Sequence, residues 1–437
     1  MNLGQSRDFS LALWVPFIWY AIIASRGVSR WLTLSGYEPG DLSYLEGSPI
    51  DRAVYIVLIF LGIVILMRRR IEWHRVLKDN KWLVVLFIYM LLSISWSQFP
   101  EVSFKRWIRA AGDLIMVLVV ISEPNPIEAI SRVLRRCFYI HLSLSIILIK
   151  YFRTIGVGWD DSGAEMWTGV TIHKNLLGEV CMISGIFFVW SILRNRGMRR
   201  FIDFGFLLMA LWLLRGSGSH MSITAIVAFS FGIGSLFALQ IGRSRVKYLK
   251  KYLVTASIVL AVGLLGAGLA VEAFSGKSFF ATGVQASGRD TTLTGRTELW
   301  QDILNIASNH PMLGAGYGSF WIGNLGNNLW ERHVWKPSSG HNGYLDVYVE
   351  LGIVGVFFLL LVIISSFRQI VRTFESNFEY GRFQLVFFLM ILLHNIAESS
   401  FLRGASNLWF IFLFVAMTAP EILRGSRPSK THEIIAT

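Results

Sequence analysis

Only two cysteines, Cys137 and Cys181, occur in 437 residues, both inside or beside apolar runs and neither with a spacing partner. That scarcity argues against a disulfide framework and against a cysteine metal site. Charge is equally sparse: 16% of the residues are Asp, Glu, Lys or Arg, against about 25% in an ordinary soluble domain. With 54% hydrophobic residues, the chain cannot coat a soluble surface, and it leaves no room for a separate soluble domain. Also missing are a glycine-rich P-loop, a recognisable Ser-His-Asp set, internal repeats and low-complexity segments. Nucleotide energy and serine-hydrolase chemistry are therefore not implied.

What is present is a succession of apolar runs of about 14 to 20 residues, where about 20 cross a bilayer core. Spans are predicted near 9–25, 53–67, 82–97, 107–121, 137–152, 176–193, 201–214, 221–240, 252–272, 345–367, 383–398 and 407–419. The first run holds Trp14 and Trp19, lacks a small-x-small exit and is followed by similar runs, so it reads as a span and not as a signal peptide. The expected fold is an all-α polytopic membrane protein of about twelve helices, a single membrane domain over 1–437.

The net charge of +13 would suit nucleic acid on a soluble chain, but in a membrane protein its location matters more than its sum. Alternate connections are basic: "RRRIEWHRVLKDNK" (68–81), "RNRGMRR" (194–200) and "GRSRVKYLKK" (242–251). One side carries about 25 Lys and Arg against about 10 acids, the other about 16 against about 18, which assigns both termini and the tail 420–437 to the cytoplasm. No nucleic-acid partner is expected; membrane lipids are.

The opposite face receives 26–52, 98–106, 153–175, the turn "RGSGSH" (215–220) and a stretch from 273 to 344. That last loop, about 70 residues long, exceeds the length at which loops are usually functional or disordered. Its tryptophans and apolar pieces predict a folded cap. "GRTELWQDILNIASNHP" (295–311) reads as a helix with Leu299, Ile303, Leu304 and Ile306 on one face, ended by His310-Pro311, and "PMLGAGYGSFW" (311–321) as a glycine-rich turn.

"SGHNGYLDVYVELGIVG" (339–355) closes the cap. Asn342 stands where it can cap the incoming helix and is also a candidate substrate contact. His341 lies at the water-lipid boundary, where an imidazole suits acid-base work on a substrate held in the membrane. The spacing is H-N-x9-G-x-x-G, ending at Gly352 and Gly355. This pattern, with "GRTELWQDILNIASNHPMLGAGYGSFW" (295–321) before it and "WTGVTIHKNLLGE" (167–179) in an earlier loop, resembles the signature of the bacterial O-antigen ligase and polysaccharide polymerase family.

The resemblance implies a GT-C-like, metal-independent, inverting glycosyltransferase of the bacterial inner membrane. It would take a glycan from an undecaprenyl diphosphate carrier at the periplasmic face, without a cofactor. Such chemistry has requirements of its own. The C1–diphosphate bond already has a good leaving group, so the enzyme must deprotonate an acceptor hydroxyl and hold the negative charge developing on the phosphates. His341 is the expected base, or the group that orients the hydroxyl. Arg296 matches a family arginine and would clamp the diphosphate bidentately.

In the turn after span seven the family commonly has S-x-S followed by Arg or Lys, whereas "SGSHMS" (217–222) places His220 there. His220 could still donate to phosphate, or Arg215 could supply the charge. His173, Lys174 and Asn175 in "HKN" are phosphate or sugar candidates with Glu179 one turn further in, though His173 could equally be an interfacial anchor. Lys105, Arg106 and Arg109 sit at a periplasmic end where positive charge is disfavoured, so a partner is expected, either the diphosphate or a lipid headgroup. Arg289 could extend the cradle or pair with Asp290. Asp160 and Asp161 stand apart from other ligands and predict no metal. Glu398, near the periplasmic end of its span, is expected to contact the cap.

The acceptor is either a growing glycan, as in a polymerase of exopolysaccharide or O-antigen repeat units, or lipid A core, as in a ligase. "HKN" and its surroundings look like the exopolysaccharide polymerase members, which favours the polymerase. A lipid-linked glycan flippase is the rival class, but it should show internal repeats and broken helices, and the sequence suggests neither.

Overall fold

The structure is a computed structural model describing residues 10–33, 48–159, 163, 165–217, 232–236, 294–333, 336–396, 398–404 and 406–417. The runs near 252–272 and most of 221–240 lie outside these residues. So do the first part of the cap (273–293), Asp160, Asp161 and the tail 420–437.

The described chain is almost wholly helical. In order come α1 (Trp14–Ile23), α2 (Val28–Thr33), α3 (Pro49–Met67), α4 (Trp73–Asp79), α5 (Lys81–Leu92), α6 (Pro100–Ile121) and α7 (Pro126–Tyr151). A two-stranded antiparallel hairpin follows, Val157–Trp159 against Glu165–Trp167. Then come α8 (Lys174–Arg194), α9 (Met198–Gly216), α10 (Thr294–Ala307), α11 (Gly323–Arg332), α12 (Gly343–Ser376), α13 (Phe378–His394) and α14 (Asn407–Ala416).

Local sequence accounts for where these helices start. Proline opens α3, α6 and α7, where its missing N–H and fixed φ cost nothing. His173, Asn342, Asn377 and Ser406 cap α8, α12, α13 and α14 by accepting backbone N–H groups of the first turn.

Among the described residues, three helices are long and apolar enough to cross a membrane: α3, α8 and Gly343–Phe374 of α12. The all-α membrane class is thereby supported. The packing follows the same logic. α13 is buried from Tyr380 to Ile391 and α14 from Leu408 to Ala416, so these helices are buried all round and form the centre, with Arg382 of α13 paired to Glu379 at 2.6 Å. On α3, by contrast, Ile56, Val57, Phe60, Leu61 and Ile63 face outward, a surface suited to lipid and not to water. Buried charge is paired: Arg135 of α7 meets Asp203 of α9 at 3.4 Å, and Trp19 donates to Asp113 at 2.8 Å.

One expectation is corrected here. α12 is broken at Gly352, whose φ of 65° and ψ of −168° leave the helical region. A break frees backbone groups that lipid cannot satisfy, so they must be met by protein. The glycine-rich turn 311–318 meets them. Ala315 and Gly316 donate to the carbonyls of Val349 and Glu350 at 2.9 Å, and Ile353 donates to the Pro311 carbonyl at 3.0 Å. The Glu350 carboxylate accepts from the Gly318 amide at 3.0 Å, and Tyr89 of α5 donates to the Leu351 carbonyl at 2.9 Å.

The cap has a small core of its own, made by Leu299, Ile303, Ala307, Phe320, Trp321, Leu329 and Val349. The α10 reading is adjusted in two respects. The helix ends at Ala307, before His310, and Leu304 points out, 48% exposed, because Ala307 and not Leu304 completes the buried face.

Candidate active site

His341 lies between the cap and α12, with a φ of 48°. That left-handed conformation is uncommon for a residue with a side chain and persists only where the surroundings impose it. They do so from three sides. Trp300 of α10 donates to the Gly340 carbonyl at 2.7 Å, Asp346 accepts the Gly340 amide at 2.8 Å, and Arg403 holds Asp346 at 2.9 Å. After His341, Asn342 accepts from the Tyr344 and Leu345 amides at 3.0 and 3.1 Å, and the Gly343 amide donates to the Asn395 carbonyl at 2.8 Å.

The imidazole Nδ1 stands 3.0 Å from Glu398 Oε2, both side chains about one quarter exposed. Glu398 makes the contact to the cap expected of it, and makes it to His341 itself. With Nδ1–H donating to the carboxylate, the basic lone pair of the neutral ring is on Nε2, and the charge that develops on protonation is stabilised. Asn395 positions the carboxylate's loop: its side chain donates to Ser400 Oγ at 2.7 Å and accepts from the Ser400 and Phe401 amides.

Glu398 also acts electrostatically on His173. His173 Nδ1 accepts the Asn175 amide at 3.2 Å, which requires a neutral ring. Lost solvation and the adjacent Lys174 charge hold this imidazole below its ordinary 6.5, with Glu398 acting in the opposite direction. Lys174 and Asn175 occupy the first turn of α8, so "HKN" and His341 lie on the same side of the bundle as Glu398. In the cap, burial raises the Tyr317 phenol above its usual range, and it donates to the Leu402 carbonyl at 2.6 Å.

The other sequence candidates fall differently. Arg296 is in the first turn of α10, its side chain outside the described residues; His220 and Arg289 lie outside them altogether. Arg215 is exposed in the last turn of α9. Of the three α6 cations, Lys105 is exposed, whereas Arg106 donates to the Gly318 carbonyl of the cap. Arg109 donates to Tyr55 at 2.8 Å and lies over its ring at 4.5 Å. Arg106 and Arg109 thus hold the fold together whatever else they bind.

The fold and site define an all-helical membrane protein whose carboxylate-oriented histidine sits where a capping loop meets a broken helix. Residues 207–360 match the O-Antigen ligase family. The exopolysaccharide production protein ExoQ of Rhizobium meliloti is 26% identical over 302 residues, which cover 65% of this chain and 64% of that protein, less than two thirds of its length. An uncharacterized protein of Haemophilus influenzae is 25% identical over 178 residues, 38% of this chain and 45% of its own. The "Putative polysaccharide ligase" of Rickettsia felis is 26% identical over 136 residues, 29% of this chain and 33% of its own. These matches bear out the resemblance to the O-antigen ligase and polysaccharide polymerase family, and the family match includes Arg296, His341, Asn342, Gly352 and Gly355.

Proposed function

We propose that the protein is a glycosyltransferase of the bacterial inner membrane, moving a glycan from undecaprenyl diphosphate to an acceptor hydroxyl at the periplasmic face. The observation that carries this reading is the His341–Glu398 pair, 3.0 Å apart beside the broken helix. In the reaction the acceptor O–H proton passes to His341 Nε2, the oxygen bonds to the sugar C1 with inversion, and the C1–phosphate bond breaks with its electron pair leaving on the diphosphate. Glu398 keeps the ring oriented and stabilises the imidazolium. Arg296, Arg215, His220, Lys174 and Asn175 are proposed to receive the phosphates and sugar, with His173, Arg289, Lys105, Arg106 and Arg109 in supporting positions. No resident metal or cofactor is needed for these steps.

Polymerisation of exopolysaccharide or O-antigen repeats is the favoured form, supported by the likeness to ExoQ, an exopolysaccharide production protein. A ligase would use the same chemistry on lipid A core. The test is transfer by purified protein from a native undecaprenyl diphosphate glycan, with core supplied or withheld, comparing wild type with His341→Ala. Product longer than the donor without core identifies a polymerase, and product only with core a ligase. No His341-dependent product with either acceptor sinks the enzyme and brings forward the lipid-linked glycan flippase.

A further inference from the structure

Arg26, between α1 and α2, is a cation that no motif singles out, and its guanidinium reaches across the fold. Its Nε and Nη2 donate to the Val170 carbonyl at 3.2 Å, to the Thr171 carbonyl at 3.1 and 2.8 Å, to the Gly169 carbonyl at 3.1 Å and to the Ile155 carbonyl. Three successive carbonyls therefore turn toward one group, just before His173. Buried or half-buried carbonyls need donors, and a rigid fork of N–H groups fits this cluster as few side chains could. The contacts reach neither the substrate candidates nor His341. They fix the segment from which the candidates project. The far end of that segment is held by the Thr171 hydroxyl, which donates to Thr168 and His173 carbonyls, and the Val170 amide is tied to Ser145 Oγ at 3.2 Å.

We infer that Arg26 is a positioning residue: by gathering the carbonyls of residues 169–171 it sets the start of α8 so that Lys174 and Asn175 are presented on the Glu398 side of the bundle. This rests on the glycosyl-transfer reading, with Lys174 as a donor contact. Losing the fork lets the segment wander, which weakens donor binding more than it slows the proton transfer at His341.

The experiment combines two readouts on the full-length protein in detergent or lipid. Amide hydrogen exchange over 168–177 is compared in wild type, Arg26→Gln and Arg26→Lys, and transfer kinetics are measured on the same samples and on Lys174→Ala and the double variant. Arg26→Gln is expected to speed exchange in this segment but not in α13. It should raise the donor KM about tenfold with kcat within about threefold, and add little to Lys174→Ala. Arg26→Lys should restore part of both. Unchanged exchange overturns the inference, as does faster exchange with unaltered kinetics or full additivity with Lys174→Ala. A wild type that transfers nothing overturns the enzyme reading and the positioning role together, while exchange still reports whether the guanidinium holds the segment.

Discussion

At the scale of single residues, the chemistry depends on which atom of each histidine is already engaged. His341 presents Nδ1 to Glu398, so Glu398→Gln, which cannot carry the charge that steadies an imidazolium, is expected to lower kcat by about 10²–10³-fold with little change in KM. Equal loss in KM and kcat would move Glu398 from the reaction to the binding of substrate. His173 is engaged in the opposite sense, its neutral Nδ1 accepting an amide. Because its folded-state pKa lies below the ordinary 6.5, the unfolded or undocked ring binds the proton first as pH falls. The stability it contributes is therefore complete above the ordinary value and is lost as pH drops from there toward the lower folded value. Protection of the Asn175 amide should decline over that window, and His173→Asn, a cap that does not titrate, should flatten the dependence. Of these residues the sequence displayed the types and the membrane-edge positions. It could not display the pairing of His341 with Glu398, which lie 57 positions apart, nor the grip of Arg26 on carbonyls more than a hundred residues away.

At the scale of elements, the start of α12 joins the motif to the fold. A side-chain carbon at Gly352 would lie 2.2 Å from the Met312 carbonyl oxygen, and φ there is 65°. Gly352→Ala is accordingly expected to destabilise the protein by about 1–3 kcal/mol and to lower transfer, since the glycine-rich turn of the cap is anchored to this break. A Tm and activity equal to wild type would show that the break is not required. The two parts of H-N-x9-G-x-x-G thus serve different ends: one sets His341 against Glu398, and the other, at Gly352, opens the helix so that the cap can bind its backbone. Asn342 is needed locally as a cap. Asn342→Ala should cost about 1 kcal/mol, while Asn342→Asp keeps the accepting oxygen; transfer lost in the second variant at unchanged Tm would reveal that the amide nitrogen meets substrate. The cap was legible in the spacing and the amide, and so was the glycine-rich turn. The break was not, because Gly352 inside an apolar run reads as any other residue of a span until its carbonyl neighbours are known.

At the scale of the whole molecule, the orientation we propose from the basic connections puts the termini in the cytoplasm and the cap on the other side. In intact cells, Leu304→Cys, on an exposed face of α10, should react with a membrane-impermeant thiol reagent added from outside the inner membrane, and a reporter fused at the C-terminus should be active in the cytoplasm. The background is low because Cys137 and Cys181 are buried. The reverse labelling pattern would invert the orientation and place the candidate site on the wrong face for a periplasmic reaction. The sequence by itself determined the α-helical membrane class, the Asn342 cap at the start of α12 and the glycine-rich turn before it. Apolar run length, prolines and capping side chains are local signals, and a bilayer leaves the backbone few alternatives to a helix. Only the tertiary structure decided that Glu398 serves His341, that α12 breaks at Gly352 to receive the turn, and that Arg26 holds the segment before α8. Each depends on groups far apart in the chain meeting to satisfy a buried hydrogen-bonding need, and no local pattern encodes such a meeting.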